Sequence, residues 1–434
     1  MAGLTRLLAI GQLVLLAATW KLWTPQTDFP QIPLIRAACD WPGWVDWVCL
    51  GILIASSIVL LIVARRGCIS RAASAGIAIS LAVFFVLDQH RLQPWAWQFF
   101  LLAILRSLAD DTTARRGWMW LAISIYFWSG VSKLDYTFCH EQGPALLGGL
   151  KQAMGMRGMP NRWTETIDIV GSFCFALGEL GVAVLLAWPR TRWLGLWTAT
   201  IMHATLLVAL GPQGLNHSHG VLLWNVFFIA QDWMLFRTFR ITPTPGATSA
   251  TGTRWQRLRS RMEWPRHFRV RAALVTIIAA MLWPLLEPVG LCDHWLAWAV
   301  YSARPGQVEV VAHLDMDIKK LPMQTQEIWA EFAWPLGYAL HPVVYHTLNV
   351  SQWSLDKLAV PNYPQSRFQV GVAMFLVDHF DFQGTVVLWK PRNRWTGKPV
   401  SNTAVFVGRG TIGELETLAD SFFWNVRPRK MANP

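Results

Sequence analysis

Long apolar stretches, separated by short polar connections, fill the first two thirds of the chain and predict membrane-crossing helices. A helix needs about 20 mostly apolar residues to cross the hydrocarbon core of a bilayer. About nine stretches meet this requirement, at 5–23, 44–64, 72–88, 94–109, 117–133, 166–188, 193–211, 219–237 and 270–290. We therefore predict a mostly α-helical, polytopic membrane bundle over residues 1–290.

The pattern changes after Gly290, beyond which no apolar stretch is long enough to cross a membrane. Alternation of apolar and polar residues predicts strands at 307–314 and 385–390, and helices are predicted at 367–377 and 412–423. A segment of this length can bury a core of its own. The sequence thus predicts a small C-terminal α/β domain outside the membrane, over residues 291–434.

Composition supports a membrane protein. Hydrophobic residues make up 53% of the chain, charged residues only 15%, and the mean hydropathy is +0.31. Many of the 27 tryptophans lie at the ends of apolar stretches, where an amphipathic ring meets the lipid headgroups.

The net charge of +12 comes largely from arginines in alternate loops, above all in the basic loop 237–271. Positive loops stay on the cytoplasmic side of a membrane. This rule predicts an inner (cytoplasmic) membrane protein with a cytoplasmic N-terminus and an extracytoplasmic C-terminal domain, in contact with membrane lipids. No zinc-finger spacing or RNA-binding signature accompanies the charge, so we predict no nucleic-acid partner.

Lys133 and Asp135 mark the predicted outer end of the fifth stretch. Partial burial disfavours the charged form of a lysine and makes Lys133 a candidate general base, whereas Asp135 favours the ammonium. The alternative is a lysine that reaches the membrane surface and marks the interface.

Glu179 and His203 lie inside the sixth and seventh stretches. A carboxylate at this depth needs a partner, and Lys133, Arg106 and His203 are candidates. With Lys133, these two residues form a candidate proton relay. The alternatives are a structural ion pair at Glu179 and an interhelical hydrogen bond at His203.

Arg91 lies in a dense polar turn between the third and fourth stretches, where it either binds an anionic headgroup or pairs with Asp88. The histidines at 217 and 219 lack the spacing and acidic partner of a metal site, so no metal is expected. Three cysteines fall in predicted outer segments, and one pair among them is a candidate disulfide: Cys39, Cys139 and Cys292.

Tyr126 and Phe127, followed by Gly130 and then by Lys133-Leu134-Asp135, form a motif at a predicted helix end. This region resembles the membrane part of the vitamin K-dependent gamma-carboxylases and their bacterial relatives, the horizontally transferred transmembrane (HTTM) domain proteins. The resemblance implies that Lys133 is the base that deprotonates a reduced vitamin K-like isoprenoid quinone. It implies supporting roles for Glu179 and His203.

We assign the binding of this quinone to Tyr126, Asp135 and Arg91. The resemblance implies a carboxylase-like lyase, or quinol-dependent chemistry at an outward-facing pocket. The Gly-x-x-Lys-Leu helix end is also similar to that of the DoxX/MauE-type redox-associated membrane proteins. A third reading is a non-enzymatic membrane scaffold whose C-terminal domain binds a secreted or periplasmic protein partner.

Overall fold

The structure is a computed structural model. It describes residues 1–64, 67–156, 164–237, 264–301, 306–312, 318–323, 325–333, 337–380, 382–398, 401–407 and 412–430. Most of these residues are helical, and they form thirteen α-helices and one small antiparallel sheet.

Ten of the helices in the described part of the chain precede the sheet. They are α1 (Ala2–Ala18), α2 (Trp44–Ile62), α3 (Gly67–Leu87), α4 (Pro94–Leu108), α5 (Asp111–Lys133), α6 (Gly143–Ala153), α7 (Thr164–Ala187), α8 (Arg192–Leu210), α9 (His219–Phe236) and α10 (Trp264–Leu282). A helix is found at every predicted apolar stretch. The short helix α6 was not predicted, because its eleven residues are too few to stand out as an apolar stretch.

Among the described residues, five segments are long and apolar enough to cross a membrane, as in a multi-pass membrane protein. They are Trp44–Ile62, Gly67–Leu87, Thr166–Ala187, Arg192–Leu210 and Phe268–Val289. Their outer faces expose large apolar side chains, such as Val184, Ile201 and Val275, each more than 60% exposed. A large exposed apolar surface of this kind suits contact with lipid. Among the described helices, α4 has only 15 residues, or about 22 Å, which is short of the ~30 Å hydrocarbon core.

Helix α5 crosses α7 closely at Gly130. A Cβ atom built at this glycine would lie 2.8 Å from Leu180 Cγ and 2.9 Å from the Ala176 carbonyl oxygen. Any larger residue would push the helices apart. The crossing places Lys133, one turn beyond Gly130, beside Glu179 of α7.

The C-terminal region contains strands β1 (Val308–Ala312), β2 (Thr325–Ala333), β3 (Gly337–Leu348), β4 (Gly384–Trp389) and β5 (Asn402–Val407). They form one antiparallel sheet in the order β2-β3-β1-β4-β5. Three helices accompany it: α11 (Val350–Leu358), α12 (Ser366–Phe380) and α13 (Ile412–Asp420).

The structure confirms the predicted strands as β1 and β4 and the predicted helices as α12 and α13. Strands β2, β3 and β5 and helix α11 were missed. Strand β3 contains Pro342, which normally argues against a strand. Helix α11 is amphipathic but short, and it is fixed by its cap, in which the Asn349 side chain accepts a hydrogen bond from Gln352 N at 2.9 Å.

Buried ion pairs join the C-terminal region to the helix ends. Asp46, in the first turn of α2, is fully buried and pairs with Arg91 at 2.6 Å and with Arg429 at 2.7 Å. Arg367 of α12 pairs with Asp293 and donates to Gln89 Oε1 at 2.7 Å. The segment that carries Arg429 and helix α12 are therefore fixed to the same face of the bundle as the turn between α3 and α4.

All six cysteines are free thiols, so the candidate disulfide among the outer cysteines is wrong. The basic loop predicted at 237–271 lies mostly outside the described residues.

The turn between α3 and α4 buries two titratable side chains with opposite pH responses. Asp88 accepts hydrogen bonds from the backbone N–H groups of His90 and Ile32, and burial raises the pKa of Asp88 to about 6. Burial lowers the pKa of His90 to about 4, although its ring contacts the Pro361 carbonyl at 3.0 Å.

These two shifts predict a pH profile that single variants reveal. Between pH 4 and 6, folded Asp88 keeps a proton that the unfolded chain releases, so its contribution to stability falls as pH rises. Between pH 4 and 6.5, the unfolded chain protonates His90 and the folded protein does not, so its contribution falls as pH drops. The two slopes oppose each other in the wild type.

We expect the Asp88→Asn variant to gain about 2–3 kcal/mol in free energy of unfolding from pH 4 to 6.5, and the His90→Gln variant to lose a similar amount. Unfolding curves in detergent micelles at several pH values check this. Flat profiles for both variants would contradict it.

Candidate functional site

A cavity of about 60 Å³ lies between α5, α7, α8 and α9, at the end of the bundle where Lys133 lies. Its polar lining consists of Tyr126, Ser129, Lys133, Glu179, His203, Asn225 and Tyr301. The rest of the lining is apolar, and it includes Phe175, Trp224, Phe228 and Trp298. An apolar cavity with a few converging polar groups is the usual form of a small-molecule site.

The ammonium group of Lys133 is held on one side of this cavity. Its Nζ lies 3.0 and 2.9 Å from the two carboxylate oxygens of Glu179 and 2.6 Å from Ser129 Oγ. The side chains of Lys133 and Glu179 are only 5% and 10% exposed. All three ammonium hydrogens therefore have an acceptor, and the two buried charges compensate each other.

A second polar group connects three helices on another side. His203 Nδ1 lies 2.7 Å from Asn225 Oδ1, and His203 Nε2 lies 2.7 Å from the Tyr126 hydroxyl. The same hydroxyl lies 2.6 Å from Asp232 Oδ2. His203, Tyr126 and Asp232 thus form a continuous buried triad from α8 through α5 to α9.

The hydrogen count of the triad follows from the amide of Asn225. Its nitrogen donates to the Val221 carbonyl at 2.9 Å, so its oxygen accepts and His203 Nδ1 carries a hydrogen. The two bonds made by the Tyr126 hydroxyl need two hydrogens, and the phenol supplies one. The second belongs either to His203 Nε2 or to the carboxyl group of Asp232, so the triad holds one proton that can lie at either end.

The cavity is closed by the segment that leads from the bundle to the C-terminal region. Trp298 and Tyr301 line it, and both have left-handed backbone conformations, with φ of 61° and 65°. Non-glycine residues avoid this conformation, and such strain is concentrated at functional sites. Trp298 is fully buried, so its packing holds the segment in place.

A larger cavity, of about 280 Å³, lies on the other side of this wall. The two cavities share Val221, Trp224, Val300 and Tyr301. The larger one reaches the C-terminal region through Asn362 and Gln369.

The structure brings together four of the six predicted site residues: Lys133, Glu179, His203 and Tyr126 all line the smaller cavity. Glu179 pairs with Lys133 rather than with the other candidates. The remaining two lie elsewhere. Asp135 is buried and accepts a hydrogen bond from Phe138 N at 3.1 Å, in the turn after α5.

Arg91 is also remote from the cavity. It is fully buried, pairs with Asp46 rather than with Asp88, and donates to the Leu22 carbonyl at 2.8 Å. It does not reach the cavity lining. Through these contacts Arg91 has a structural role, because it links the turn between α3 and α4 to the start of α2.

Sequence reasoning missed Ser129, Asn225, Asp232 and the wall residues. The helical spacing of polar residues could have identified Ser129, Asn225 and Asp232. Ser129 falls between Tyr126 and Lys133 on one stripe of α5, and Asn225 and Asp232 are two turns apart on α9. Trp298 and Tyr301 gave no signal, because they belong to an irregular segment after the last apolar stretch.

Among the described residues, no cluster of three or more histidine, cysteine or acidic side chains has the arrangement of a metal site. No family model, no curated protein and no solved structure matches this chain.

Proposed function

We propose that this protein is a multi-pass membrane protein that binds a hydroxylated ring, of the quinol or reduced vitamin K type, and removes a proton from it. The observation that carries the proposal is the lining of the smaller cavity. A buried lysine–glutamate pair and the histidine end of a proton-holding triad face the same apolar space. A carboxylate can act as a base toward a ligand hydroxyl, and cationic groups beside it stabilise the anion that forms.

The contacts of Lys133 refine the role expected from the sequence. Its Nζ donates to three acceptors as an ammonium group, and an ammonium has no lone pair that could accept a proton. The carboxylate of Glu179 is the group with free lone pairs. In the proposed reaction, Glu179 takes the ligand proton while the ammonium of Lys133 stabilises the negative charge that remains on the ligand.

His203 is the second charge-bearing group of this proposal. Its ring lines the cavity, and the one proton that the triad shares moves between Asp232 and His203 Nε2 along the Tyr126 hydroxyl without moving a side chain far. With this proton on Nε2, the ring is an imidazolium and Asp232 is the carboxylate. The ring then places a second positive charge beside the anion that remains on the ligand, while Glu179 holds the ligand proton.

The size of the cavity sets a condition on this function. Its volume is below the ~150 Å³ of a protein cavity that holds benzene. Displacement of the Tyr301 side chain would join it to the larger cavity, giving about 340 Å³, within the usual range of small-molecule sites. We therefore propose that the wall segment, which carries Tyr301, shifts when the ligand ring binds.

The finer topology belongs to the same proposal. In this topology all nine predicted helices cross an inner (cytoplasmic) membrane, the short α4 with local thinning of the bilayer, and the N-terminus lies inside and the C-terminal region outside. The Lys-Leu-Asp helix end supports membership of the HTTM or gamma-carboxylase-like group. Under this arrangement the Lys133 cavity opens toward the extracytoplasmic side.

A binding experiment tests the proposal. Native mass spectrometry would compare menaquinone capture by the wild type and by the paired variant Lys133→Met/Glu179→Leu. The matched control is Lys151→Met/Asp168→Leu, which removes another lysine–carboxylate pair, at 2.5 Å between α6 and α7 and away from the cavity. We expect capture to fall at least about tenfold in the first variant only. Equal capture by all three proteins would contradict the proposal.

A further inference from the structure

Three large aromatic side chains of the C-terminal region are exposed on its surface. Phe423 is 91% exposed, Trp395 76% and Trp424 42%. Large aromatic side chains gain free energy when they leave water, so exposed groups of them commonly mark interaction surfaces.

Trp395 is held at the tip of a closed turn. Asn393 N donates to the Lys398 carbonyl at 2.8 Å, and the Asn393 side chain accepts from Trp395 N at 2.9 Å and from Thr396 N at 3.1 Å. Gly397, with φ of 64°, completes the turn. The exposure of Trp395 is therefore a fixed feature of the backbone.

This turn is docked on the end of α5. Arg394 Nε donates to the Leu134 carbonyl at 2.9 Å, and Tyr136 N donates to the Arg394 carbonyl at 2.8 Å. Gly397 lies directly against the Tyr136 ring, with no space for a Cβ. Trp395 thus lies just beyond the helix end that carries Lys133.

Phe423 and Trp424 are fixed beside the start of α2. The next residue, Asn425, donates its backbone N–H to the Leu34 carbonyl at 3.1 Å. Four residues further along, Arg429 pairs with Asp46 in the first turn of α2. Both aromatic sites are therefore attached to the same face of the bundle, because α2 begins and α5 ends at that face.

Three more tryptophans are exposed at the start of α2: Trp41, Trp44 and Trp47, at 39%, 64% and 56%. Since Trp44–Ile62 is a candidate membrane span, Trp44 and Trp47 lie where the helix would enter the bilayer. We call the six side chains Trp41, Trp44, Trp47, Trp395, Phe423 and Trp424 the aromatic collar.

We propose that the aromatic collar inserts into the headgroup layer of the bilayer and holds the C-terminal region against the membrane surface. Trp44 and Trp47 lie at the entry point of a candidate span, and the segment that carries Phe423 and Trp424 is bonded beside that point, which identifies lipid as the partner of the collar. Tryptophan is enriched at this depth because its ring is apolar and its N–H is polar. This inference does not depend on the chemistry proposed for Lys133.

Site-directed fluorescence quenching in lipid nanodiscs tests it. Single cysteines would be introduced by Trp395→Cys and Phe423→Cys in a protein whose six native cysteines are replaced, and labelled with a fluorophore. The aqueous control is Glu414→Cys. Glu414 is exposed in the first turn of α13, at the end of this helix that is remote from Phe423. The membrane control is Ile58→Cys, 44% exposed inside α2.

We expect labels at positions 395 and 423 to be quenched by spin-labelled lipid and to be about threefold less sensitive to iodide than the label at 414. The label at position 58 should be quenched only by spin-labelled lipid, which shows that α2 crosses the bilayer of the nanodisc. If 395 and 423 respond to iodide like 414, the collar faces water and the inference is overturned. If neither quencher reaches them, another protein or a second copy covers the collar, and the inference is overturned as well.

Discussion

The Lys133→Met variant is expected to lose about 3–5 kcal/mol in free energy of unfolding, whereas adding Glu179→Leu should restore most of that loss. Removing one partner of a buried ion pair leaves an uncompensated charge in a low-dielectric site. Replacing both partners by apolar side chains of similar size is often neutral. Unfolding by sodium dodecyl sulfate in mixed micelles would measure both variants.

The half-buried pair of Lys151 and Asp168 gives the control for this prediction. Its side chains are 26% and 19% exposed, so Lys151→Met should cost about 1 kcal/mol or less. A cost at Lys133 no larger than that at Lys151 would mean that the Lys133 pair is solvated, and the cavity description would be wrong.

The Tyr126→Phe variant is expected to have the second largest effect. The loss of one hydroxyl removes both bonds of the triad, which separates His203 from Asp232. Two buried polar groups then lack their partner, and we expect a cost of about 2–4 kcal/mol. Under the proposed function, removal of the proton from a bound hydroquinone should also slow by about 100-fold, since the loss of a group that stabilises developing negative charge costs at least this much.

Tyr363→Phe provides a matched control for the triad. Tyr363 also donates a hydrogen bond to a largely buried carboxylate, that of Asp293, but it lies in the C-terminal region outside the smaller cavity. We expect a smaller loss of stability, because Arg367 still pairs with Asp293, and an unchanged rate of proton removal from a bound hydroquinone. Equal rates for wild type, Tyr126→Phe and Tyr363→Phe would show that the triad takes no part in the reaction.

Much of the architecture was predictable, because the hydrophobic pattern of a helical membrane protein is strong. Each of the nine apolar stretches contains a helix, and the helix ends differ from the predictions by up to eight residues. The number of membrane crossings was less predictable, because 15 residues in α4 and a polar stripe on α9 weaken the apolar signal.

The candidate site was only partly predictable, and the reason is spatial. Lys133, Glu179 and His203 were identified because a charged or titratable group inside an apolar stretch is costly and needs a partner. Arg91 satisfies the same criterion but lies elsewhere, because Asp46 is its partner. Which helices face each other depends on contacts such as that at Gly130, and the sequence pattern does not specify these.

In the proposed function, the Lys133 cavity withdraws a proton from a bound ring hydroxyl. The absorbance of reduced menadione bound to the protein under anaerobic conditions, titrated with pH for the wild type and for Lys133→Met/Glu179→Leu, measures this step. The ionised form absorbs at longer wavelength, so the titration reports the protonation state of the ligand itself. We expect the ligand to ionise at a pH at least about two units lower in the wild type than in solution, and the paired variant to lose this shift. Ionisation at the same pH in solution, in the wild type and in the paired variant would contradict the proposed function.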